Sequence, residues 1–588
     1  MNVSPGPAEP RVRLAGRIRP RGPLTFRRGS GSGAVTFCLT WPRRLPAGVG
    51  ARGCSEQTRS PRGFAAGIGL APSLPASPWS TPMELVIRKN FWAVNLRFVA
   101  LVALLAAKTV ALTGCSSEPG PKSEPSATGP QGVIVLPAVQ LPETPAGKKL
   151  DAWVAAINAG SQAKIVALHA GEHDAKRNVS NDVEFADRTG GLDIHTVERA
   201  TPTEIAVIAR TRTPETWLRI EMTVESAPPH AIARLGFMPA PPPIDAVGKD
   251  QLSDAEIVKR LDAFLDKLVK AERFSGTVLV ARDGRTLYEK AAGLASRAWN
   301  APVRIDTKLN LGSMNKMFTA TAIGQLVDKG RIKLDDKVGK YLPDFPNADV
   351  RNKVTVAHLL SHSSGLGSYF GDVFDARKLK IREVRDYLPL IAEEKLAFEP
   401  GSEWAYSNSG FILLGAIVEA ASGENYFDYI RKHVYEPAGM RDSDCYDLDR
   451  DVANLASGYT RSPDGWRTNI FLHVVRGGPA GGGYSTVPDL LRFALALRGG
   501  KLMSPATTST FVAGKMDTSS GGKYAYGFGD RNVRGHRIVG HSGGFPGINS
   551  NLDIYWDDGY VVAVMSNVDM GAMPVAEKAR ELIARQNP

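Results

Sequence analysis

Ser313 and Lys316 stand three residues apart in Asn310-Leu-Gly-Ser313-Met-Asn-Lys316, directly ahead of the apolar-rich stretch MFTATAIGQLVDKG, which ends at Gly330. A serine hydroxyl is a weak nucleophile until a neighbouring base takes its proton. A lysine held away from water can be that base, because desolvation disfavours its ammonium form. The periodicity predicts a helix here, with Ser313 at its start and Lys316 on the same face one turn on. The positive end of the helix dipole would favour negative charge at Ser313. Ser-x-x-Lys alone is a weak signal, since Ser161-Gln-Ala-Lys164 and Ser520-Gly-Gly-Lys523 also match. Ser161 reads as a helix cap, and Ser520 lies in a Gly-rich turn with no helix after it.

What separates Ser313 is the order of residues downstream. Tyr406-Ser407-Asn408 lies in a loop just ahead of a second apolar helix pattern, and Gly540-His541-Ser542-Gly543-Gly544 follows a short strand. Taken singly, Tyr406 is a packing residue, Asn408 a turn or cap residue and His541 a strand-end histidine. Together, in this order, they resemble the SxxK serine hydrolases, the superfamily of class C β-lactamases, D-alanyl-D-alanine carboxypeptidases, D-aminopeptidases and related esterases. Thr355-Val-Ala-His-Leu-Leu-Ser-His-Ser-Ser-Gly-Leu366, Pro437-Ala-Gly-Met440 and Gly481-Gly-Gly-Tyr-Ser-Thr-Val-Pro-Asp-Leu490 are similar to segments of that group.

The resemblance implies an α+β, β-lactamase/transpeptidase-like fold over 251–588, with an antiparallel sheet packed by helices and an all-helical region. It implies that Ser313 forms an acyl-enzyme and that Lys316 holds or relays its proton. Tyr406 would act as base and then as acid to the leaving group, while Asn408 orients Lys316 and contacts substrate. His541 would line the site where many β-lactamases carry a lysine, and a histidine there grips a substrate carboxylate only when protonated. The backbone at Ser313 and Gly544, with Gly543 beside them, would bind the oxyanion and substrate; such donors are worth roughly 3 kcal/mol each. The expected reaction is hydrolysis of D-amino-acid peptides or small esters, with weak β-lactam reactivity. The alternative is an inactive penicillin-binding-like envelope protein that serves as a binding module.

Other motifs carry less. Gly540-x-Ser542-x-Gly544 has the spacing of a nucleophile elbow, but strand-like residues rather than a helix follow and no histidine comes later. His358 and His362, four apart, would share a helix face, yet no third ligand is evident, so packing and capping are the expected roles and no metal is expected. The Gly477–Gly483 run lacks the Lys-Ser/Thr of a phosphate loop and reads as a tight strand entry. No cofactor is expected. Cys445 reads as a packed or surface thiol, and Trp404, Tyr484, Tyr526 and Trp556 as pocket or core residues.

The 588 residues carry 72 Lys+Arg against 60 Asp+Glu, a formal charge of +12. Residues 1–82 hold 12 Arg against two Glu, so ten of those charges sit in a Gly/Pro-rich stretch with no apolar period from which to build a core. From Met83 a basic start, an apolar run (Phe98 to Ala107) and Leu112-Thr113-Gly114-Cys115 have the layout of a secretory signal. The run is too short for a spanning helix, and its end resembles the bacterial lipobox, in which the cysteine is lipidated. The expected organisation is therefore a non-native upstream extension (1–82), a lipoprotein signal (83–114) lipidated at Cys115, a tether (115–135), a small α+β domain similar to NTF2-like modules (136–238), a Pro-rich linker (239–250) and the hydrolase domain. Cleavage before Cys115 leaves a net charge of −1. The expected partners are a small-molecule or peptide substrate and a membrane reached through the lipid anchor. Nucleic acid is not among them, oligomeric state stays open, and the expected location is the periplasmic face of the envelope, leaning to an outer membrane.

Overall fold

The computed structural model describes residues 139–586 except 171–174, 241, 244, 245, 247–249, 446, 463, 519 and 520. The upstream extension, the signal, Cys115 and Ser520 lie outside the described residues.

The first folded layer runs from Pro145 to Pro239. Thr144 accepts the Gly147 N–H and Pro145 occupies the first helical position, which starts the helix Pro145–Asn158. Ser161 caps Gln162–Leu168 in the same way. Leu150, Trp153 and Ile157 recur at helical spacing and are buried against four antiparallel strands in chain order, Leu192–Ala200, Glu204–Thr211, Trp217–Val224 and Ile232–Pro239. A third helix, Ala175–Thr189, has no counterpart in the sequence reading. Its core-facing apolar residues are Val179, Val183, Phe185 and Ala186 among polar ones, which leaves little period to detect.

The larger body is built on an eight-stranded antiparallel sheet. Its strands follow the spatial order Met516–Asp517, Lys523–Tyr524, Gly529–Val533, His536–Phe545, Ile548–Tyr555, Tyr560–Ser566, Gly276–Arg282, Arg285–Ala292. On one face lie the helices Asp254–Lys270 and Ala572–Ile583. The first is capped by Ser253 and buries Ile257, Leu261, Phe264, Leu265 and Leu268 along one stripe. The other face carries the helical region, including Asn315–Asp328, Asn408–Ser422 and Val487–Arg498. Strand Ile548–Tyr555 is thus covered on both sides and buried along its whole length. Asn408–Ser422 is buried without a break from Ser409 to Val418, as befits a helix surrounded by others. This is the α+β architecture that the resemblance implies.

Within this frame Asp553 of the fully covered strand meets Arg580 of the helix Ala572–Ile583, with Nε to Oδ2 at 2.6 Å and a second terminal nitrogen to Oδ1 at 2.9 Å, both side chains buried. Asn551 accepts from the nitrogen that meets Oδ1 at 2.9 Å, and Glu577 accepts from the other terminal nitrogen at 2.6 Å, so the planar fork is held on both sides.

Candidate active site

Strand Leu309–Gly312 lies against strands His536–Phe545 and Gly483–Ser485 and leads straight into Ser313. Gly312 has φ +52°, and a Cβ placed there would stand 3.0 Å from the Gly544 nitrogen. Glycine is required on both counts, for the left-handed turn and for the close approach. Helix Asn315–Asp328 begins two residues after Ser313 and carries Lys316 into the interior.

Lys316 is fully buried. Its Nζ lies 2.8 Å from Asn408 Oδ1, within hydrogen-bond reach of the Ala480 carbonyl oxygen, and 3.2 Å from Ser313 Oγ. The first two partners can only accept. A neutral amine has two N–H bonds and one lone pair, so donating to Asn408 and Ala480 leaves the lone pair for the Ser313 hydroxyl. Burial drives the Lys316 pKa well below its ordinary value, which agrees with that bonding pattern.

Tyr406 stands over this group, with Lys316 Nζ 4.8 Å from its ring centre and its hydroxyl near enough to Ser313 to be influenced by it. The residue is 37% exposed. Desolvation of the hydroxyl raises the phenol pKa above its usual value, only partly offset by the nearby Ser313. Asn408 opens the helix Asn408–Ser422 behind the Ser407 cap and donates its own amide to Ser368 Oγ at 2.9 Å.

His541 borders the same cleft, its ring centre 6.4 Å from that of Tyr406. Its Nδ1 is 2.5 Å from the Ser542 carbonyl oxygen, which can only accept, so Nδ1 carries the proton. Nε2 therefore accepts from the Tyr524 hydroxyl at 2.9 Å. Burial draws the His541 pKa down to about 3. Gly543 and Gly544 continue the strand; a Cβ on Gly543 would strike the Leu311 carbonyl, whereas Gly544 faces open space.

The structure thus brings together Ser313, Lys316, Tyr406 and Asn408, with His541, Gly543 and Gly544 along one edge. Several sequence expectations are corrected. The helix at Val356–Leu360 ends before His362, which takes φ +59° and turns inward, so His358 and His362 do not share a helix face. His358 serves in the Thr355 capping box. The Gly477–Gly483 run is more than a strand entry: Gly478 and Gly481 bond reciprocally in a tight reversal that presents Ala480 to Lys316 and Gly478 to Asn315. Ser542 lies mid-strand and starts no helix. Cys445 is buried with its pKa raised by burial, as a packed thiol should be. Tyr484 lines a separate cavity of about 440 Å³ with Lys308, Arg431 and Asp444.

Four contributors escaped sequence reasoning: the Ala480 carbonyl, Ser368, Tyr524 and His362. Only the glycine run around Ala480 and the His-Ser-Ser-Gly segment at His362 gave any local signal. Among the described residues no cluster of three or more His, Cys, Asp or Glu could hold a metal ion.

Residues 261–586 match the Beta-lactamase family. A penicillin-binding protein of Bacillus subtilis is 32% identical over 329 residues, 53% of this chain and 71% of that protein. Esterase EstB of Burkholderia gladioli is 40% identical over 207 residues, 32% of this chain and 52% of that protein. Among solved structures, the octameric penicillin-binding protein homologue from Pyrococcus abyssi has a TM-score of 0.50 at 28% identity, covering 56% of this chain and 78% of that one. A matched segment that begins within the helix Asp254–Lys270 and runs through the last described strand and helix takes in the sheet and the whole Ser313 cleft, and on that extent the chain belongs to the Beta-lactamase family and is a serine hydrolase.

Proposed function

We propose that the protein hydrolyses D-amino-acid peptides or small esters through an ester on Ser313. The observation that carries this reading is the bonding of Lys316, whose two obligate acceptors direct its lone pair at Ser313 Oγ. In the first half-reaction the Ser313 proton passes to Lys316 Nζ as Oγ bonds to the substrate carbonyl carbon. The resulting oxyanion is met by backbone N–H groups at Ser313 and Gly544. The proton then moves through the Tyr406 hydroxyl to the leaving group as its bond to carbon breaks. Water repeats the sequence in reverse and frees Ser313. In this scheme Lys316 is the resting base and Tyr406 a protonated relay, since burial opposes a phenolate.

The location we propose is the cell envelope, held by a lipid on Cys115 as the mature N-terminus. Metabolic labelling with a palmitate analogue tests this, and a Cys115→Ala variant labelled as strongly as wild type refutes it. The catalytic reading is tested by acyl-enzyme mass spectrometry with a fluorophosphonate, a labelled penicillin and a panel of esters and D-peptides. A Ser313→Ala variant that matches wild type throughout, with no adduct on the wild-type protein, would leave a binding module in place of an enzyme.

A further inference from the structure

Among the described residues, the strand edge that borders Ser313 carries His541 rather than a lysine or arginine. Both ring nitrogens of His541 are occupied, Nδ1–H by the Ser542 carbonyl and the Nε2 lone pair by the Tyr524 hydroxyl. Neither Tyr524 nor His541 is free to swing away. Tyr524 is buried, its residue pairs with Gly529 in the sheet, and its ring packs 4.4 Å from that of His362. His541 is 8% exposed. The imidazole presents a neutral edge to the cleft and has no N–H left to offer.

Nearby cations are committed elsewhere. Lys316 is enclosed by Ser313, Asn408 and Ala480. Arg531 sits on the adjacent strand directly opposite Ile538, and opposed residues share a face. Ile538 belongs to the core under the helices Asp254–Lys270 and Ala572–Ile583, so Arg531 points away from the cleft. Lys378 is paired with Asp375 at 3.0 Å.

The adjoining wall is apolar. Phe545 follows Gly544, and its ring lies 6.0 Å from Phe370 and 5.2 Å from His473, itself buried and held neutral by desolvation. Phe370 packs on Tyr369 and Phe374 yet remains 46% exposed, two residues from the Ser368 that holds Asn408. An exposed aromatic face beside the reacting groups offers burial to an apolar substituent. A carboxylate there would lose its water, and Lys378, whose charge reaches His473, is already paired with Asp375.

Resting on the reading of Ser313 as nucleophile, we propose that the Tyr524–His541 pair and the Phe370–Phe545 wall select uncharged, apolar esters and amides and reject substrates that carry a carboxylate beside the scissile bond.

Phenyl butanoate and 3-carboxyphenyl butanoate share one acyl group and one ester bond and differ by a single carboxylate, so their kcat/KM ratio on the full-length protein at neutral pH reads the selection. The uncharged ester is expected to be preferred by about tenfold or more. His541→Lys is expected to shrink that preference by about tenfold, through a lower KM for the carboxylated ester. Equal or better hydrolysis of the carboxylated ester by the wild type overturns the proposal. So does labelling of Ser313 by a fluorophosphonate with no turnover of either ester. Absence of both labelling and turnover overturns instead the reading of Ser313 on which the proposal rests. A folded His541→Lys variant with an unchanged ratio removes His541 from the selection.

Discussion

His362 holds the Tyr406 loop from both sides. Its backbone carbonyl accepts the Ala405 N–H at 2.9 Å and its Nδ1 accepts the Ser407 N–H at 3.1 Å, while its ring lies 4.3 Å from that of Tyr406. The residue is wholly buried, and desolvation keeps its pKa well below the ordinary value. A neutral ring is what accepting at Nδ1 requires.

His362→Ala removes one of the two clamps and lets the phenol drift from Ser313. Misplacement on the ångström scale costs on the order of 10²-fold in rate. We expect kcat to fall by about that factor with KM little changed. His362→Asn, whose amide oxygen can still accept from Ser407, should restore most of it. Steady-state kinetics on a neutral ester checks both, and a defect confined to KM would contradict the positioning role.

The acid limb of the pH–rate profile should belong to Lys316. The amine must be unprotonated to accept from Ser313, and burial lowers its pKa. Activity is therefore present above that lowered value and lost as pH falls through it. Asn408→Asp would put a carboxylate oxygen about where an amide oxygen now stands 2.8 Å from Nζ. Opposite charge at that range favours the ammonium form, so the limb should move to higher pH by roughly 1–3 units. A profile that stays in place would sink this assignment.

Gly312→Ala should damage the site more than the fold. A side chain at φ +52° costs about 1 kcal/mol, and its Cβ would press on the Gly544 nitrogen. Displacing an oxyanion donor is worth up to 10²–10³ in kcat. We expect at least a tenfold loss of kcat alongside a melting point within a few degrees of wild type, measured by esterase assay and calorimetry.

Asp553→Asn should act on stability alone. Removing one partner of a buried ion pair costs about 3–5 kcal/mol where the other charge is left uncompensated; Glu577 still holds Arg580 at 2.6 Å, so the loss is expected below that range. Burial alone would raise the Asp553 pKa, but Arg580 overrides it and the net shift is downward. The stabilisation is thus complete above the ordinary carboxylate pKa and is lost as pH falls through the lowered one. Wild type and variant should differ most near neutrality and converge in strong acid, as chemical denaturation at several pH values will read.

Much of this site was legible before any coordinates. Ser313 and Lys316 stand three residues apart where one helix begins, and Tyr406, Asn408 and His541 follow in a recognisable order, so local spacing and chain order sufficed. The residues that tune them were not legible, because their roles exist only through tertiary placement. Tyr524 comes from a two-residue strand set two places from the strand of His541. Ser368 lies 40 residues from Asn408. His362 depends on a backbone angle that its sequence neighbours do not announce. The raised phenol pKa was equally hidden, since composition cannot say that the Tyr406 hydroxyl would be desolvated.

One of the two acceptors that tune Lys316 belongs to the polypeptide itself. The Ala480 oxygen is supplied whatever side chain occupies position 480, so no single-nucleotide change at that codon deletes it. Only rerouting the loop can, and its neighbouring glycines are packed so closely that a Cβ on Gly477 would stand 2.2 Å from Gly482. The vulnerability of this base to genetic drift is therefore displaced from the residue that touches it to the glycines that fold the chain back.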